Sequence, residues 1–180
     1  MGTSKSKRRV KIVESIASAI SSKKIFDTID YRNRNEDYIK QYMHQPLIKE
    51  LEELYENLEL SKSNDKEIVK QKAKDCLLWE GDVNTTVNNF TFFGTQHRPD
   101  FVVKIDKLSV AVEVKKGETG SSLREGIGQS LVYASAFDFV VYLYVDISKD
   151  KKIRDSMSGK QEQELINDLW DSHNALFQVV

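Results

Sequence analysis

Apolar residues in the first third of the chain recur every three or four positions, a spacing typical of amphipathic helices. This pattern predicts helices over residues 12–20 and 38–60. Within the second helix, Pro46 is well placed to open a new helix, because proline suits a first helical turn. A further helix is expected over residues 64–79. The first part of the chain is therefore predicted to form a helical layer.

From about residue 83 the pattern changes to the β-branched and aromatic composition of strands. Three successive strands are expected to form an antiparallel meander, over residues 85–93, 100–105 and 109–116. After a loop at 117–122, the expected order is helix, strand, helix, strand, over residues 123–136, 139–147, 161–171 and 176–180. The strand at 139–147 is apolar on both faces, which indicates the interior of a covered, partly parallel sheet.

These elements predict an α/β protein with a mixed central β-sheet flanked by helices. We expect a basic arm and a helical N-terminal extension, residues 1–62, packed on a core of residues 63–180. Residues 1–24 hold seven lysines and arginines against one glutamate, although the net charge of the chain is only −1. That arm either lies along phosphates, adding salt-sensitive affinity, or serves only as a solubilising tail.

Composition narrows the class of protein. At 180 residues, with 39% hydrophobic and 31% charged residues, the chain fits a globular domain with a sizeable core. Its longest apolar run, residues 139–145, is far short of the ~20 residues that span a bilayer. We therefore expect no membrane segment and a cytoplasmic protein, or a nuclear one in a eukaryote. The single cysteine, Cys76, excludes an internal disulfide and leaves no CxxC for zinc.

Candidate chemistry lies on two consecutive predicted strands. Because side chains alternate along a strand, Glu113 and Lys115 project to the same side, ~7 Å apart. Pairing across the short turn at Asp106-Lys107 would bring Asp100 near Glu113. Buried carboxylates are costly unless something uses their charge, and a hard cation such as Mg²⁺, with Mn²⁺ as an alternative, is a natural user. The alternative for Glu113 and Lys115 is a surface ion pair on an edge strand.

This pattern resembles a known family. Arg98-Pro99-Asp100 followed by Glu113-Val114-Lys115 is similar to the motif of the PD-(D/E)xK nuclease superfamily, which has the restriction-endonuclease-like fold. The resemblance implies that Asp100 and Glu113 bind Mg²⁺, and that the Val114 backbone carbonyl completes the shell. It also implies that Lys115 is the catalytic base or positions the attacking water. The resemblance covers roughly residues 64–145.

The next predicted helix carries a second element of the resemblance. Gly126, Gln129 and Tyr133 match the GQxxxY element that many members carry after the lysine strand. Gln129 and Tyr133 are four residues apart and share a helix face, and Gly126 on that face would let the helix approach the sheet closely. The resemblance implies that Gln129 supports the site or contacts substrate. Tyr133 would do the same or simply pack.

Weaker candidates surround these residues. Many family members place a glutamate near the metal on the helix before the first strand, and Glu67 is the best match, with Glu80 second. Capping of that helix with Asn64 and the helix dipole also explain Glu67. Arg124 either reaches a phosphate or lies on a solvated helix face. Lys116 is either structural or loosely phosphate-binding.

The sequence thus predicts a Mg²⁺-dependent nuclease that hydrolyses DNA, of a restriction, repair or defence type. Symmetric double-strand cleavage needs two sites, so a homodimer is a possible partner arrangement. The alternative is a catalytically inactive nuclease-like fold that serves as a DNA- or protein-binding module. No nucleotide cofactor is expected, because the glycines of residues 117–128 lack the GxxxxGK[ST] pattern and the third glycine of GxGxxG.

Overall fold

A mixed β-sheet with helices on both faces forms the centre of the computed structural model, which describes residues 6–57, 65–81, 87 and 89–180. The helices are α1 (Lys7–Ile20), α2 (Lys23–Phe26), α3 (Glu36–Asn57), α4 (Lys66–Asp75), α5 (Gly120–Ala134), α6 (Lys152–Ser156) and α7 (Lys160–His173). The strands are β1 (Leu77–Trp79), β2 (Phe90–Phe92), β3 (Thr95–His97), β4 (Phe101–Ile105), β5 (Leu108–Gly117), β6 (Phe139–Asp146) and β7 (Ala175–Val179).

The main sheet has five strands in the order β1-β4-β5-β6-β7. Strands β1, β4 and β5 pair antiparallel, whereas β5, β6 and β7 pair parallel. Parallel neighbours need a crossover, and α5 supplies it between β5 and β6, as α6 and α7 do between β6 and β7. The predicted α/β class and mixed sheet are confirmed.

Strand β6 shows how the two faces are filled. All of its residues are buried, and its side chains alternate between two clusters. Phe139, Val141, Leu143 and Val145 pack with apolar residues of α1 and α3. Val140, Tyr142 and Tyr144 pack with Tyr133 of α5 and Leu169 of α7. Each face of the sheet is therefore covered by helices, as an apolar two-faced strand requires.

The N-terminal helices share a core with the sheet. Helix α1 packs against α3, β6 and β7, and its apolar face holds the fully buried Val13, Ile16 and Ile20. Arg9 of α1 forms an ion pair of 2.7 Å with Asp138, at the start of β6. None of the helices in the described ranges is long and apolar enough to cross a membrane.

The helix expected over residues 64–79 is shorter than predicted. Helix α4 ends at Asp75, and Leu77–Trp79 form strand β1, which pairs with β4 from Leu77↔Val103 to Trp79↔Phe101. The apolar residues after Asp75 satisfy a helical spacing too, and only the partner strand decides their structure. Asn64 lies outside the described residues, and the N-cap is Asp65, whose carboxylate accepts from the Glu67 N–H at 2.9 Å.

Two further predictions were wrong. The three-strand meander does not form, because β2 pairs with β3 in a separate hairpin and β1 takes the place next to β4. Of the strand expected over residues 85–93, Phe90–Phe92 is a strand, and residues 82–86 and 88 lie outside the described part. Pro46 does not open a new helix. It lies inside the continuous helix α3, whose buried face continues on both sides of it.

Candidate active site

The tight β4–β5 hairpin sets the geometry of the candidate site. Its pairing runs from Ile105↔Leu108, across the two-residue turn, to Phe101↔Val112. Asp106 in the turn has a φ of 55°, a left-handed conformation that aspartate tolerates. The next position along this register sets Asp100 opposite Glu113. Two carboxylates from neighbouring strands are thus brought together by a local hairpin.

Both carboxylates are buried, with 5% exposure for Asp100 and 7% for Glu113. Asp100 has two partners: its Oδ2 accepts from the Val114 N–H at 2.8 Å, and its Oδ1 accepts from the Lys40 ammonium at 2.8 Å. Glu113 is different, because within the described residues its Oε2 is buried without a hydrogen-bond partner. A buried polar atom in this state calls for a water, a ligand or an ion that completes it.

The protonation of the two carboxyls reflects this burial. Desolvation raises the pKa of Asp100 to about 6, although Lys40 and the Val114 N–H favour the charged form. Desolvation raises the pKa of Glu113 further, to about 9, and the charges of Asp100 and Glu36 add to the rise, while Tyr133 and Lys115 oppose it. Two like charges held side by side in a dry site disfavour ionisation of both. A bound cation would offset this penalty and favour the ionised form of both carboxyls.

Helix α3 contributes charges that the sequence patterns did not reveal. The ammonium of Lys40 lies 2.8 Å from Asp100, 3.0 Å from Asp37 and 3.8 Å from Glu36. Burial lowers the pKa of Lys40, but the charge of Asp100 outweighs it and holds the pKa above its usual range. Glu36 also accepts from the backbone N–H of Lys116 at 2.8 Å, which ties the start of α3 to the end of β5.

Lys115 lies on the same face of β5 as Glu113, as strand alternation requires. These two residues pair with Tyr144 and Tyr142 of β6. The Lys115 side chain is 23% exposed, and its ammonium lies 3.4 Å from the carboxylate of Glu125. An ion pair to so exposed a glutamate is weak, about 1 kcal/mol or less, so the ammonium is free to turn toward a ligand.

Lys116 points to the opposite side from Lys115. Its ammonium donates to the backbone carbonyl of Arg32 at 2.8 Å and to that of Arg34. These contacts hold the segment before α3 against the end of β5. They support the structural alternative for Lys116.

Helix α5 brings the glutamine and the tyrosine to the same face of the sheet. A Cβ added at Gly126 would clash with the hydroxyl and the ring of the buried Tyr142, so only glycine permits this close approach. The Tyr133 hydroxyl donates to the Arg98 carbonyl at 3.1 Å and stabilises the charged form of Glu113. In the described part of the chain, the Gln129 Oε1 is buried and, like the Glu113 Oε2, lacks a hydrogen-bond partner.

The weaker candidates lie around the site or on exposed surface. Glu80 forms an ion pair with Arg98, and its N–H donates to the Asp100 carbonyl at 3.0 Å, so it borders the site. Glu67 and Arg124 are exposed, on α4 and α5. With Asp65 as the N-cap, Glu67 donates its backbone N–H to the cap and places its charge in the first turn, where the helix dipole favours it.

The carboxylates of Asp100 and Glu113 are the side chains that could hold a divalent cation. Among residues 6–57, 65–81, 87 and 89–180, no three His, Cys, Asp or Glu side chains form a cluster that could hold a metal ion. Mg²⁺ needs fewer, because it binds through one or two carboxylates and completes its shell with water and substrate phosphate. Asp100 and Glu113, with one Glu113 oxygen unpartnered, fit that requirement. Each Asp100 oxygen also retains a second lone-pair direction.

A cavity of about 200 Å³ opens beside these residues, lined by Asp37, Lys40, Trp79, Glu80 and Gly81. A larger cavity, of about 910 Å³, lies between α2 and α3, but its lining contains a single carboxylate, Glu52. The smaller cavity adjoins the candidate carboxylates through Lys40, which contacts Asp100, although neither Asp100 nor Glu113 is among its lining residues.

Comparisons with known proteins leave the family open. No family model matches the chain, and no curated protein matches it. Among solved structures, the chain is similar to a complex of the restriction endonuclease PspGI with substrate DNA. The TM-score is 0.33 and the identity is 13%, over 96% of this chain and 76% of that chain. A similarity this low supports no argument about fold or function.

Sequence reasoning missed Glu36 and Lys40. Lys40 reaches Asp100 across 60 residues of sequence, so no local spacing connects the two. Acidic residues in a first helical turn followed by a lysine are ordinary on solvated helices. Their role follows only from where α3 lies.

Proposed function

We propose that this chain is a Mg²⁺-dependent nuclease with a restriction-endonuclease-like fold, hydrolysing phosphodiester bonds of DNA. One observation carries the proposal. Asp100 and Glu113 are buried side by side with raised pKa values, and an oxygen of Glu113 lacks a partner within the described residues. Such an arrangement destabilises a fold unless the charge is used, which is typical of functional sites.

The residues divide the work as follows. Asp100 and Glu113 would hold the cation, with the Val114 carbonyl as a further ligand. When bound, the cation would supply Lewis-acid polarisation of the scissile phosphate. Lys115 would orient the attacking water or accept its proton as the oxygen attacks phosphorus and the phosphorus–oxygen bond to the leaving group breaks. As an ammonium, either from the start or after the neutral amine has taken the proton of the water, Lys115 would also stabilise the negative charge that develops.

Substrate contacts are proposed for α5 and the ends of the strands. The buried Oε1 of Gln129 would accept from an ordered water or from a group of the substrate. Tyr133 would support Glu113, and Arg124 would approach phosphates, whereas Lys116 would hold the segment before α3 in place. Glu67 is retained as a tentative further ligand. A homodimer, which would supply two sites for two strands, is part of the proposal for double-strand cleavage.

A second candidate function is a nuclease-like module that binds DNA or protein without hydrolysis. The ion pair of Lys40 with Asp100 favours it, because an ammonium at 2.8 Å occupies one oxygen that a cation would use. In the nuclease, Lys40 must shift or share that oxygen. In the binding module, it would replace the cation permanently.

The two candidates are separated by cleavage and by metal binding. Linear, circular and branched DNA would be incubated with the protein in Mg²⁺ or Mn²⁺, and ion binding would be measured by calorimetry. The nuclease is expected to cut, and Asp100→Asn and Lys115→Met are expected to reduce the rate at least about a hundredfold. Cutting by these variants at the wild-type rate would refute the assignment.

Matched variants guard against indirect effects. Lys104 is an exposed lysine on the neighbouring strand β4, so Lys104→Met controls for loss of a positive charge. Asp146→Asn removes another buried carboxylate, outside the candidate site. If no metal binds but DNA or a protein partner does, the binding module is the better account.

A further inference from the structure

The turn of the β2–β3 hairpin contains an unexpected residue. Its register, Phe92↔Thr95, leaves a two-residue turn of Phe93 and Gly94, with φ angles of 48° and 73°. Positive φ at both central positions is the condition of a type I′ turn, which favours asparagine, aspartate or glycine at the first of them. A bulky aromatic residue in this conformation is an outlier.

Packing does not explain Phe93 either. Its side chain is 93% exposed, and its ring meets the ring of Phe92 edge-on, with centroids 4.5 Å apart. Phenylalanine at this turn therefore costs backbone strain and leaves apolar surface in water. A residue held in a strained conformation without burial in return points to a role in function.

The hairpin is anchored next to the candidate active site. The ring of Phe90, at its base, lies 6.0 Å from the ring of Tyr133 on α5 and 6.0 Å from that of Phe137, just after α5. The chain then leaves β3 at His97 and reaches Asp100 within three residues. Phe93 is thus at most about 25 Å from Asp100 along an extended chain. That is roughly seven base steps of DNA.

We propose that Phe93 is a wedge that inserts into the base stack of DNA bound at Asp100 and Glu113, which rests on the proposed nuclease function. Apolar side chains inserted between base steps unstack and bend a duplex, and two-stranded ribbons enter its grooves. The exposed Thr91, Thr95 and Gln96 of the same hairpin carry groups that can hydrogen-bond to base edges or phosphates. One exposed ring with the half-buried Phe92 ring beside it is too small an apolar patch for a typical protein interface.

The test measures DNA binding and base unstacking apart from hydrolysis. Without a divalent ion, wild-type protein and the variants Phe93→Ala, Phe93→Asn and Phe93→Trp would be titrated onto random-sequence duplexes. One duplex set would carry fluorescein for anisotropy, and a second would carry 2-aminopurine, whose fluorescence rises on unstacking. Leu165→Ala, which truncates an exposed apolar residue on α7, is the matched control.

The wedge predicts that the alanine and asparagine variants bind about tenfold to a hundredfold more weakly and lose the unstacking signal. Tryptophan should keep both. Because asparagine suits this turn, Phe93→Asn should melt at the wild-type temperature or above, which separates binding from folding. An asparagine variant that binds and unstacks like wild type overturns the proposal.

The outcome for the wedge is distinguishable from that for the nuclease. If wild type cuts DNA and Phe93→Asn binds and cuts equally well, the wedge is wrong and the nuclease stands. If wild type never cuts but its binding and unstacking depend on Phe93, the wedge stands and hydrolysis is wrong. Association of protein copies through Phe93 without DNA binding, seen by sedimentation, would overturn the wedge.

Discussion

Replacement of Glu113 by glutamine should stabilise the fold at neutral pH while removing a proposed metal ligand. Glutamine keeps the shape of the side chain and cannot ionise. In the wild-type protein, burial raises the pKa of Glu113 from its ordinary 4.5 to about 9. At pH 7 the folded protein therefore holds a proton on this carboxyl that the unfolded chain has released.

The sign and size of the effect follow from this difference. When the pKa of an acid is higher in the folded state, the unfolded state loses its proton first, so wild-type stability falls as pH rises from 4.5 toward about 9. At about 1.4 kcal/mol per unit, the penalty at pH 7 reaches at most about 3 kcal/mol. Movement of Lys115 or of water toward an ionised Glu113 would reduce it. We expect Glu113→Gln to gain about 1 to 3 kcal/mol at pH 7, and close to nothing below the ordinary pKa.

Urea unfolding measured from about pH 4 to about pH 9 in the presence of a chelator checks this expectation. The gap between the two proteins should widen with pH. In a second series with Mg²⁺, the wild-type protein should gain stability by binding the ion, and Glu113→Gln should gain little. Glu164→Gln, a neutralisation on the exposed face of α7, should leave the profile unchanged.

Parallel pH profiles for wild type and Glu113→Gln would show that Glu113 ionises in the fold as an ordinary glutamate. The account of Glu113 as a buried acid that the fold holds in its protonated form would then be wrong. A variant less stable than wild type at every pH would be equally damaging, because it would give the glutamate a structural role.

Three other substitutions test the surroundings of the site. Lys40→Met should leave Asp100 as an uncompensated buried acid, destabilise the protein by about 2 to 4 kcal/mol in chelator, and make added Mg²⁺ more stabilising in a thermal-shift assay than it is for wild type. Gly126→Ala should cost about 1 to 3 kcal/mol in urea unfolding through its clash, whereas Gly128→Ala, with open space around the new Cβ, should be neutral or stabilising. Desolvation raises the pKa of Asp146, but hydrogen bonds from Ser148 and Arg154 outweigh it, and the pKa lies below its ordinary 3.8. The ionised Asp146 therefore stabilises the fold above pH 3.8, and this stabilisation is lost as the pH falls further. Asp146→Asn should therefore flatten the acid limb of the stability profile.

The part of the site that sequence predicted is the part set by local structure. Asp100 and Glu113 are joined by a hairpin with a two-residue turn, so strand alternation and a short connection suffice to place them together. Gln129 and Tyr133 share one helix face for an equally local reason. The burial of strand β6 was predictable because nearly all of its residues are apolar.

The rest depended on contacts between distant segments. Leu77–Trp79 continue an apolar helical spacing, and pairing with β4 makes them a strand. The β2–β3 hairpin pairs with itself and not with the sheet, although its composition is that of any strand. Lys40 acquires its role only because α3 packs where β4 begins. In each case the tertiary partner outweighed local propensity.

Helix α3 is needed for the candidate site, because Lys40 supplies the counter-charge of Asp100 and Glu36 accepts a hydrogen bond from the end of β5. A polypeptide cut between α3 and α4 would keep Asp100, Glu113 and Lys115 in its second half, yet leave Asp100 without the ammonium of Lys40. Under the proposed nuclease function, each half should be inactive alone, and cleavage should return only when the two halves reassociate. Truncations guided by Asp100, Glu113 and Lys115 alone would remove Lys40 and Glu36, which contact the same site.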